Sequence, residues 1–226
     1  MRALACLVLA ACGGSQPAAP AQPAEPAQPA HANTHAMHHR FEHADEWAPR
    51  FDDPGRDAWQ QPDRVVAALA LAPGMVVADV GAGTGYFEKR LSEAVGPNGK
   101  VIAVDIEPDM IRYLGERAQR EQTPNVEARL GAPDDPRLAP GSVDRILIVD
   151  TWHHIEDRVA YGKKLAVALK PGGAIFVVDF TLESDKGPPK KHRFAPAQVI
   201  DELTQAGLTA AVVEVGLPDQ YVIKAW

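Results

Sequence analysis

Three glycines and two aspartates form the first pattern in this chain that could do chemistry. Gly81, Gly83 and Gly85 occupy alternate positions directly after a short apolar run. That run ends in Asp79, and Asp105 stands twenty residues after Gly85. A turn built from glycines lets the backbone approach a ligand closely, because glycine has no Cβ. An acid at the tip of the following strand can accept both hydroxyls of a ribose, so we expect a nucleoside-containing ligand here.

A second group of reactive side chains follows another apolar run, at residues 142–149. It contains Asp150, His153 and His154. The carboxyl ends of strands line the crevice in open α/β sheets, so we expect this group to face the reaction centre. An imidazole with a pKa near about 6.5 can accept a proton from an oxygen or nitrogen nucleophile at neutral pH. Adjacent side chains point in different directions, so at most one of the two histidines should reach a substrate; the alternative for each is a helix-start or surface histidine.

The hydrophobic pattern supplies the elements that must hold these residues. Short apolar runs typical of buried strands alternate with stretches whose apolar residues recur at helical spacing. The predicted strands are residues 75–80, 100–106, 126–130, 142–150, 174–180, 210–215 and 220–225. The last two are close together and imply an antiparallel hairpin. The sequence therefore predicts an α/β fold with a mostly parallel sheet.

The glycine pattern and the acid after it resemble those of a known family. Asp79-Val80-Gly81-Ala82-Gly83-Thr84-Gly85 followed by Val104-Asp105-Ile106 resembles motif I and the acidic second-strand motif of class I S-adenosylmethionine-dependent methyltransferases. The resemblance covers roughly residues 58–226. It implies S-adenosylmethionine as the cofactor. It also implies a Rossmann-like methyltransferase fold, in which a mostly parallel seven-stranded sheet of order 3-2-1-4-5-7-6 carries helices on both faces.

The same resemblance assigns roles to individual residues. The implied cofactor contacts are Asp79, Gly81, Gly83, Gly85, Asp105, Ile106, Ala132 and Asp150. Ile106 would flank the adenine, Asp150 would lie near the methyl group, and Trp152 would wall the pocket. Ala132 stands where the family often has an acid on the adenine amino group, which leaves that contact to Asp134 or to backbone atoms. The catalytic candidates are Asp150, His153 and His154.

Composition divides the chain into four predicted parts. They are a signal peptide with a lipobox at residues 1–12, a disordered Ala-, Pro- and His-rich tether at 13–40, an N-terminal cap segment at 41–61 and the methyltransferase domain at 62–226. Large aromatic residues stand among polar ones in the cap segment, which indicates that it docks onto something. In similar methyltransferases this part folds over cofactor and substrate; the alternative is a strap that packs on the core and never meets substrate.

The first residues carry a targeting pattern. Leu9-Ala10-Ala11-Cys12 resembles the lipobox of bacterial lipoproteins, in which the chain is cut before the cysteine and the cysteine is lipidated. This implies a membrane-anchored protein held by a lipid on Cys12, although the apolar run is too short for a transmembrane helix. S-Adenosylmethionine is a cytosolic metabolite, so translation from Met37 to give a cytoplasmic enzyme is the alternative.

The net charge and the chemistry of methyl transfer limit the classes of binding partner that we expect. A net charge of −7 does not suggest a nucleic-acid-binding surface, so we expect a small-molecule methyl acceptor and no nucleic acid. The positive sulfur of the cofactor already activates the methyl group, so we expect no metal in the site. Two alternatives stay open: a membrane-anchored, non-catalytic binding lipoprotein that retains the fold, and an NAD-dependent oxidoreductase. The G-x-G-x-G spacing and the terminal hairpin disfavour the oxidoreductase. Nothing in the sequence identifies the acceptor.

Overall fold

The computed structural model of this chain describes residues 41–226. The predictions for residues 1–40, which include the lipobox at Cys12, the tether and the alternative start at Met37, lie outside the described residues. Between residues 41 and 226, none of the helices combines the length and the apolar character that crossing a membrane requires.

A seven-stranded sheet forms the centre of the described part. Its strands are β1 Val76–Val80, β2 Lys100–Asp105, β3 Val126–Leu130, β4 Val143–Val149, β5 Leu169–Phe180, β6 Ala210–Val212 and β7 Gln220–Ala225. Their spatial order is β3-β2-β1-β4-β5-β7-β6. β7 runs antiparallel to β5 and β6, and the other neighbouring strands are parallel. The predicted fold and its terminal hairpin are confirmed.

Helices bury the sheet on both faces. They are α1 Ala44–Phe51, α2 Arg56–Gln60, α3 Pro62–Ala68, α4 Glu88–Val95, α5 Pro108–Arg120, α6 Arg158–Ala168 and α7 Pro196–Gln205, with short 3₁₀ turns at Trp152–His154 and Lys190–His192. Successive residues of β4 enter different cores: Ile146 packs with residues of α6 and α7, and Leu147 with residues of α3 and α4. Strand side chains alternate between the two faces of the sheet, so each apolar strand contributes side chains to both hydrophobic cores.

Two strand ends differ from the predictions. β5 begins at Leu169 rather than at residue 174, because residues 170–173 form a bulge at which the register with β4 shifts. Gly172 in this bulge has a φ of +79°, a conformation that favours glycine. β6 ends at Val212 rather than at residue 215, although the Val213 N–H still donates to the Val222 carbonyl of β7.

The strand order opens a crevice at the ends of β1 and β4. β2 and β3 follow β1 on one side, whereas β4 and β5 continue the sheet on the other side. The connections leaving β1 and β4 therefore diverge at the carboxyl edge of the sheet. Open α/β sheets bind ligands at such a switch point. Both groups of chemically interesting residues, after β1 and after β4, lie at this edge.

A buried ion pair fixes the turn that follows β4. Arg158 of α6 donates from Nε and Nη2 to the carboxylate of Glu202 on α7, at 2.8 Å each. The indole N–H of Trp152 donates to the same carboxylate at 2.9 Å. The Arg158 and Glu202 side chains are only 1% and 8% exposed. One carboxylate thus holds the 3₁₀ turn, α6 and α7 together.

We expect Glu202→Ala to lower the free energy of unfolding by about 3–5 kcal/mol, because it leaves the Arg158 guanidinium buried without a counter-charge. Urea denaturation of the full chain measures this change. Asp201→Ala is the matched control, since Asp201 lies on the same helix but is exposed. Equal effects of the two substitutions would contradict the role assigned to Glu202.

Candidate functional site

The turn between β1 and α4 adopts a backbone conformation that favours glycine. Gly81, Gly83 and Gly85 have φ values of +83°, +57° and +91°. A Cβ on Gly81 would lie 2.1 Å from Oγ1 of Thr151, the second residue after β4. A Cβ on Gly85 would lie 2.9 Å from Leu114 of α5. A positive φ favours glycine at all three positions, and lack of space for a Cβ adds to this at Gly81 and Gly85.

Asp105 ends β2 beside this turn. Its carboxylate accepts hydrogen bonds from the backbone N–H groups of Gly83, at 2.9 Å, and Glu107, at 3.0 Å. Burial raises the pKa of Asp105, and these backbone N–H groups oppose that shift. The next residue, Ile106, is 46% exposed despite its apolar side chain. A fixed carboxylate beside an apolar surface suits the hydroxyls and the base of a nucleoside.

A pair of carboxyl groups lies below the glycine turn. Asp79 of β1 and Glu88 of α4 are each 3% exposed. Burial raises the pKa of both groups, and the charge of Asp79 raises that of Glu88 further. Two neighbouring buried carboxyls are less costly when one of them is protonated. Asp79 is therefore part of a buried carboxyl pair, with the last residue of β1 between it and the glycine turn.

Asp150 belongs to a chain of polar side chains from three segments: α2, β7 and the turn after β4. Its backbone has a φ of +52°, uncommon for a residue with a Cβ. Asp150 Oδ1 accepts a hydrogen bond from Gln220 Nε2 of β7 at 2.5 Å, and the Gln220 amide oxygen accepts one from Gln60 of α2. Gln60 in turn accepts from Arg56, whose Nη2 lies 3.9 Å from Asp150 Oδ2. Burial raises the pKa of Asp150 to about 7.

The two histidines after β4 occupy different surroundings. His153 is 2% exposed, and its Nδ1 lies 2.9 Å from Oδ2 of Asp179 in β5. Burial lowers the pKa of His153, but the charge of Asp179 and their hydrogen bond outweigh it, so the net pKa is raised. The His154 ring is partly exposed and lies 5.6 Å from the Phe41 ring of the cap segment. The two rings nevertheless lie close together, with centroids 4.4 Å apart and planes tilted by 37°, so the expectation that these side chains point in different directions is wrong.

The structure also places three other residues that the sequence analysis named. Trp152 is wrong as a pocket wall: it is fully buried and bonded to Glu202, because its indole fills the core under α6 and α7. Ala132 exchanges backbone hydrogen bonds with Asp135, at 2.7 and 3.0 Å, so its N–H and C=O are engaged in this tight turn. Asp134 pairs with Lys164 and its side chain is 84% exposed.

The cap segment forms α1 and α2 and lies across the carboxyl edge of the sheet. Its Phe51 ring is 3.5 Å from the position of a Cβ on Gly83. Its Asp52 pairs with Arg117 of α5 at 2.8 Å. Farther along, Trp59 packs against Phe180 at the end of β5, with ring centroids 5.4 Å apart. That the segment also meets a substrate stays a prediction.

Sequence reasoning did not assign Arg56, Glu88, Asp179 or Gln220 to the site. Asp179 carried a usable signal, since it is an acid near the end of an otherwise apolar strand. Arg56 stood among many charged residues of the cap segment, and its position depends on contacts with β4 and β7. No comparable signal marked Glu88, because an acid in the first turn of a helix is ordinary.

The donor and acceptor set fits S-adenosylmethionine. Asp105 can accept the ribose hydroxyls, and Ile106 offers an apolar surface to the adenine. The glycine turn gives the methionyl part close access to the backbone, and Asp150 offers an acceptor for its ammonium group. Between residues 41 and 226, no group of three or more His, Cys, Asp or Glu is placed to hold a metal ion.

Known proteins are similar to this chain in both sequence and fold. The family described as "Methyltransferase domain" matches residues 71–212. A solved "SAM dependent methyltransferase from Aquifex aeolicus" superposes with a TM-score of 0.75 and 31% identity, covering 80% of this chain and 96% of that one.

Curated relatives match over shorter regions. An "Arsenite methyltransferase" of Halobacterium salinarum is 32% identical over 113 residues, which is 50% of this chain and 29% of the relative. A "Ubiquinone biosynthesis O-methyltransferase" of Xanthomonas campestris is 34% identical over 117 residues, 51% of this chain and 46% of the relative. The matched part thus spans less than half of these two relatives. With a family match over more than half of its length and a solved relative covered almost completely, the chain belongs to the methyltransferase domain family and is an S-adenosylmethionine-dependent methyltransferase.

Proposed function

We propose that this enzyme methylates a hydroxyl oxygen of a small-molecule acceptor, with His153 as the general base. The observation that carries the proposal is the contact between His153 Nδ1 and the Asp179 carboxylate, at 2.9 and 3.1 Å, at the ends of β4 and β5. A hydroxyl loses its proton as it accepts a methyl group, so a positioned base accelerates the reaction. The similarity to an O-methyltransferase supports an oxygen acceptor.

Asp179 sets the orientation and the protonation of the base. In neutral His153 the carboxylate favours the tautomer with hydrogen on Nδ1, which leaves Nε2 to accept a proton. Once His153 is protonated, the negative charge of Asp179 stabilises the imidazolium. The side chains of both residues are almost fully buried, at 3% and 2% exposed, so the charge of Asp179 acts with little solvent screening.

The cofactor supplies a methyl group already activated by positive sulfur, so the chain mainly has to bind and orient. Asp105 and Ile106 would hold the nucleoside part, and the glycine turn and Asp150 the amino-acid part. Positioning of this kind reaches effective molarities of about 10⁵–10⁸ M in intramolecular reactions. Proton removal by His153 is then the one chemical task left to a side chain.

The arsenite methyltransferase relative suggests a different acceptor, trivalent arsenic. Arsenic in this state is a soft centre that thiolates bind well. Residues 13–226 contain no cysteine, since the two cysteines are Cys6 and Cys12. We therefore favour the hydroxyl acceptor over arsenite. The small-molecule class itself is supported by the relative that is named for ubiquinone biosynthesis.

We expect Asp105→Asn to weaken binding of S-adenosylhomocysteine on the order of 10- to 100-fold, because charge-assisted hydrogen bonds to the ribose contribute about 1.5–3 kcal/mol. Calorimetric titration of the full chain measures the affinity. Asp134→Asn is the control, since that acid is exposed and faces Lys164. Unchanged affinity in Asp105→Asn would remove this residue from the cofactor site.

We expect His153→Asn to slow methyl transfer to catechol or hydroquinone by about 100-fold or more. In the wild type the rate should rise with pH as His153 loses its proton, with a midpoint above 6.5, because the net effect of Asp179 raises its pKa. Asp179→Asn should move that midpoint to lower pH. Transfer of isotopically labelled methyl from S-adenosylmethionine measures the rate, and an NMR titration of the His153 ring measures the pKa without an acceptor.

His154→Asn is the matched control for this experiment, since its ring is partly exposed and next in sequence. A loss of activity confined to His154→Asn would show that His154 is the base and would contradict the role proposed for His153. Label that reaches arsenite or an amine but no hydroxyl compound would contradict the proposed acceptor class.

Residues 9–12 support a second proposal, that Cys12 carries a lipid which anchors the enzyme to a membrane. Expression of the full chain in a bacterial host with radiolabelled palmitate should label the wild type and leave Cys12→Ser unlabelled. Mass spectrometry of the mature N-terminus checks the cleavage site. A chain that begins at Met37 and carries no lipid would contradict the anchor and favour the cytoplasmic alternative.

A further inference from the structure

The geometry points to Arg56 as the residue that binds the carboxylate of the cofactor's amino-acid part. Arg56 lies on α2 of the cap segment, outside the motifs that mark the cofactor site in the sequence. The inference concerns the cofactor alone, so it stands or fails separately from the acceptor proposed above.

The guanidinium of Arg56 lies between the glycine turn and the end of β4. Its Cζ is 4.0 Å from the centroid of the Tyr86 ring, and Tyr86 directly follows the last glycine of the turn. On the other side, Nη2 lies 3.9 Å from Oδ2 of Asp150. The Arg56 side chain is 15% exposed. A cation in the cap segment is thus placed at the site where the amino-acid part of the cofactor is expected.

Hydrogen bonds hold this guanidinium in one orientation. Nε and Nη2 donate to the side-chain oxygen of Gln60, at 3.2 and 3.0 Å, and Nη1 donates to the carbonyl of Phe51 at 2.8 Å. Gln60 is fixed in turn by its hydrogen bond to Gln220 of β7. Arginine loses little further conformational freedom on binding when its side chain is already ordered.

The same contacts leave donors for a ligand. A guanidinium has five N–H groups, and three of them are used by Gln60 and Phe51. Each terminal nitrogen keeps one N–H for which the described residues offer no hydrogen-bond acceptor, since Asp150 at 3.9 Å is beyond hydrogen-bond distance. N–H groups on the two terminal nitrogens of one guanidinium can pair with the two oxygens of a carboxylate.

Asp150 makes the pair complementary to an amino acid. The amino-acid end of the cofactor is a zwitterion, which needs donors for its carboxylate and acceptors for its ammonium group. Arg56 and Asp150 present one of each, side by side at the tip of β4. A cofactor held by both would replace their weak mutual contact by two charge-assisted hydrogen-bonded pairs.

Two ligands separate this role from a structural one. S-Adenosylhomocysteine carries the amino-acid part, whereas 5′-methylthioadenosine has the same nucleoside and sulfur but lacks it. Arg56→Gln should weaken binding of S-adenosylhomocysteine on the order of 10- to 100-fold, and binding of methylthioadenosine by less than about threefold. Calorimetric titration of the full chain measures both affinities.

Arg50→Gln is the matched control, because Arg50 is an exposed arginine of the same segment whose guanidinium also lies over an aromatic ring, that of Trp47. It should leave both affinities unchanged. Thermal unfolding of the variants checks that the fold is intact. Equal weakening of both ligands by Arg56→Gln, or of neither, would overturn the inference.

A carboxylate on the acceptor is the other source of the same chemistry. Titration of 4-hydroxybenzoate into the complex with S-adenosylhomocysteine distinguishes it. Binding of 4-hydroxybenzoate that is lost in Arg56→Gln, with S-adenosylhomocysteine affinity retained, would assign Arg56 to the acceptor and overturn the inference. A further outcome is that the wild type binds S-adenosylhomocysteine more tightly than methylthioadenosine while Arg56→Gln changes neither affinity. That result would leave the methyltransferase identity intact and would remove only the role assigned to Arg56.

Discussion

The absence of space for a Cβ at Gly81 is the constraint on which the site depends. The turn after β1 passes so close to Thr151 that a methyl group would overlap its side chain. This contact brings the tip of β1 against the tip of β4, where the two strands send their connections in opposite directions. Asp105 reaches the turn from the β2 side, and Thr151 reaches it from the β4 side. The glycine therefore sets the distance between the two halves of the crevice.

Much of this arrangement follows from local sequence. Buried parallel strands are short runs of apolar residues, and the glycine turn is recognisable because few other residues adopt its conformation. The position of Asp105 follows from the same logic, since it ends the strand next to the turn. The antiparallel hairpin was predictable because two short strands stand close together at the end of the chain. These features depend on neighbours in sequence or on the alternation of elements.

The remainder depends on contacts between distant residues. His153 pairs with Asp179, 26 positions away, and Arg56 reaches Asp150 only because α2 docks on the sheet. Trp152 was expected at the pocket because it follows Asp150, but the 3₁₀ turn directs its indole into the core. Periodicity does not report such directions, because a turn of three residues is too short to contain a repeat. The bulge at residues 170–173 precedes the strand predicted at 174–180, although the strand pairing continues on both sides of it.

The hydrogen-bonded series from Arg56 through Gln60 and Gln220 to Asp150 has a consequence for how the protein folds. Gln60 and Gln220 are 160 positions apart, so the series closes only after the last strand has been synthesised and inserted beside β5. Loop closure over such separations is slow and comes late in folding. A ligand that binds the completed series stabilises the native state by mass action. Cofactor availability and the docking of the final hairpin are thereby thermodynamically coupled, although the hairpin and the glycine turn are far apart in sequence.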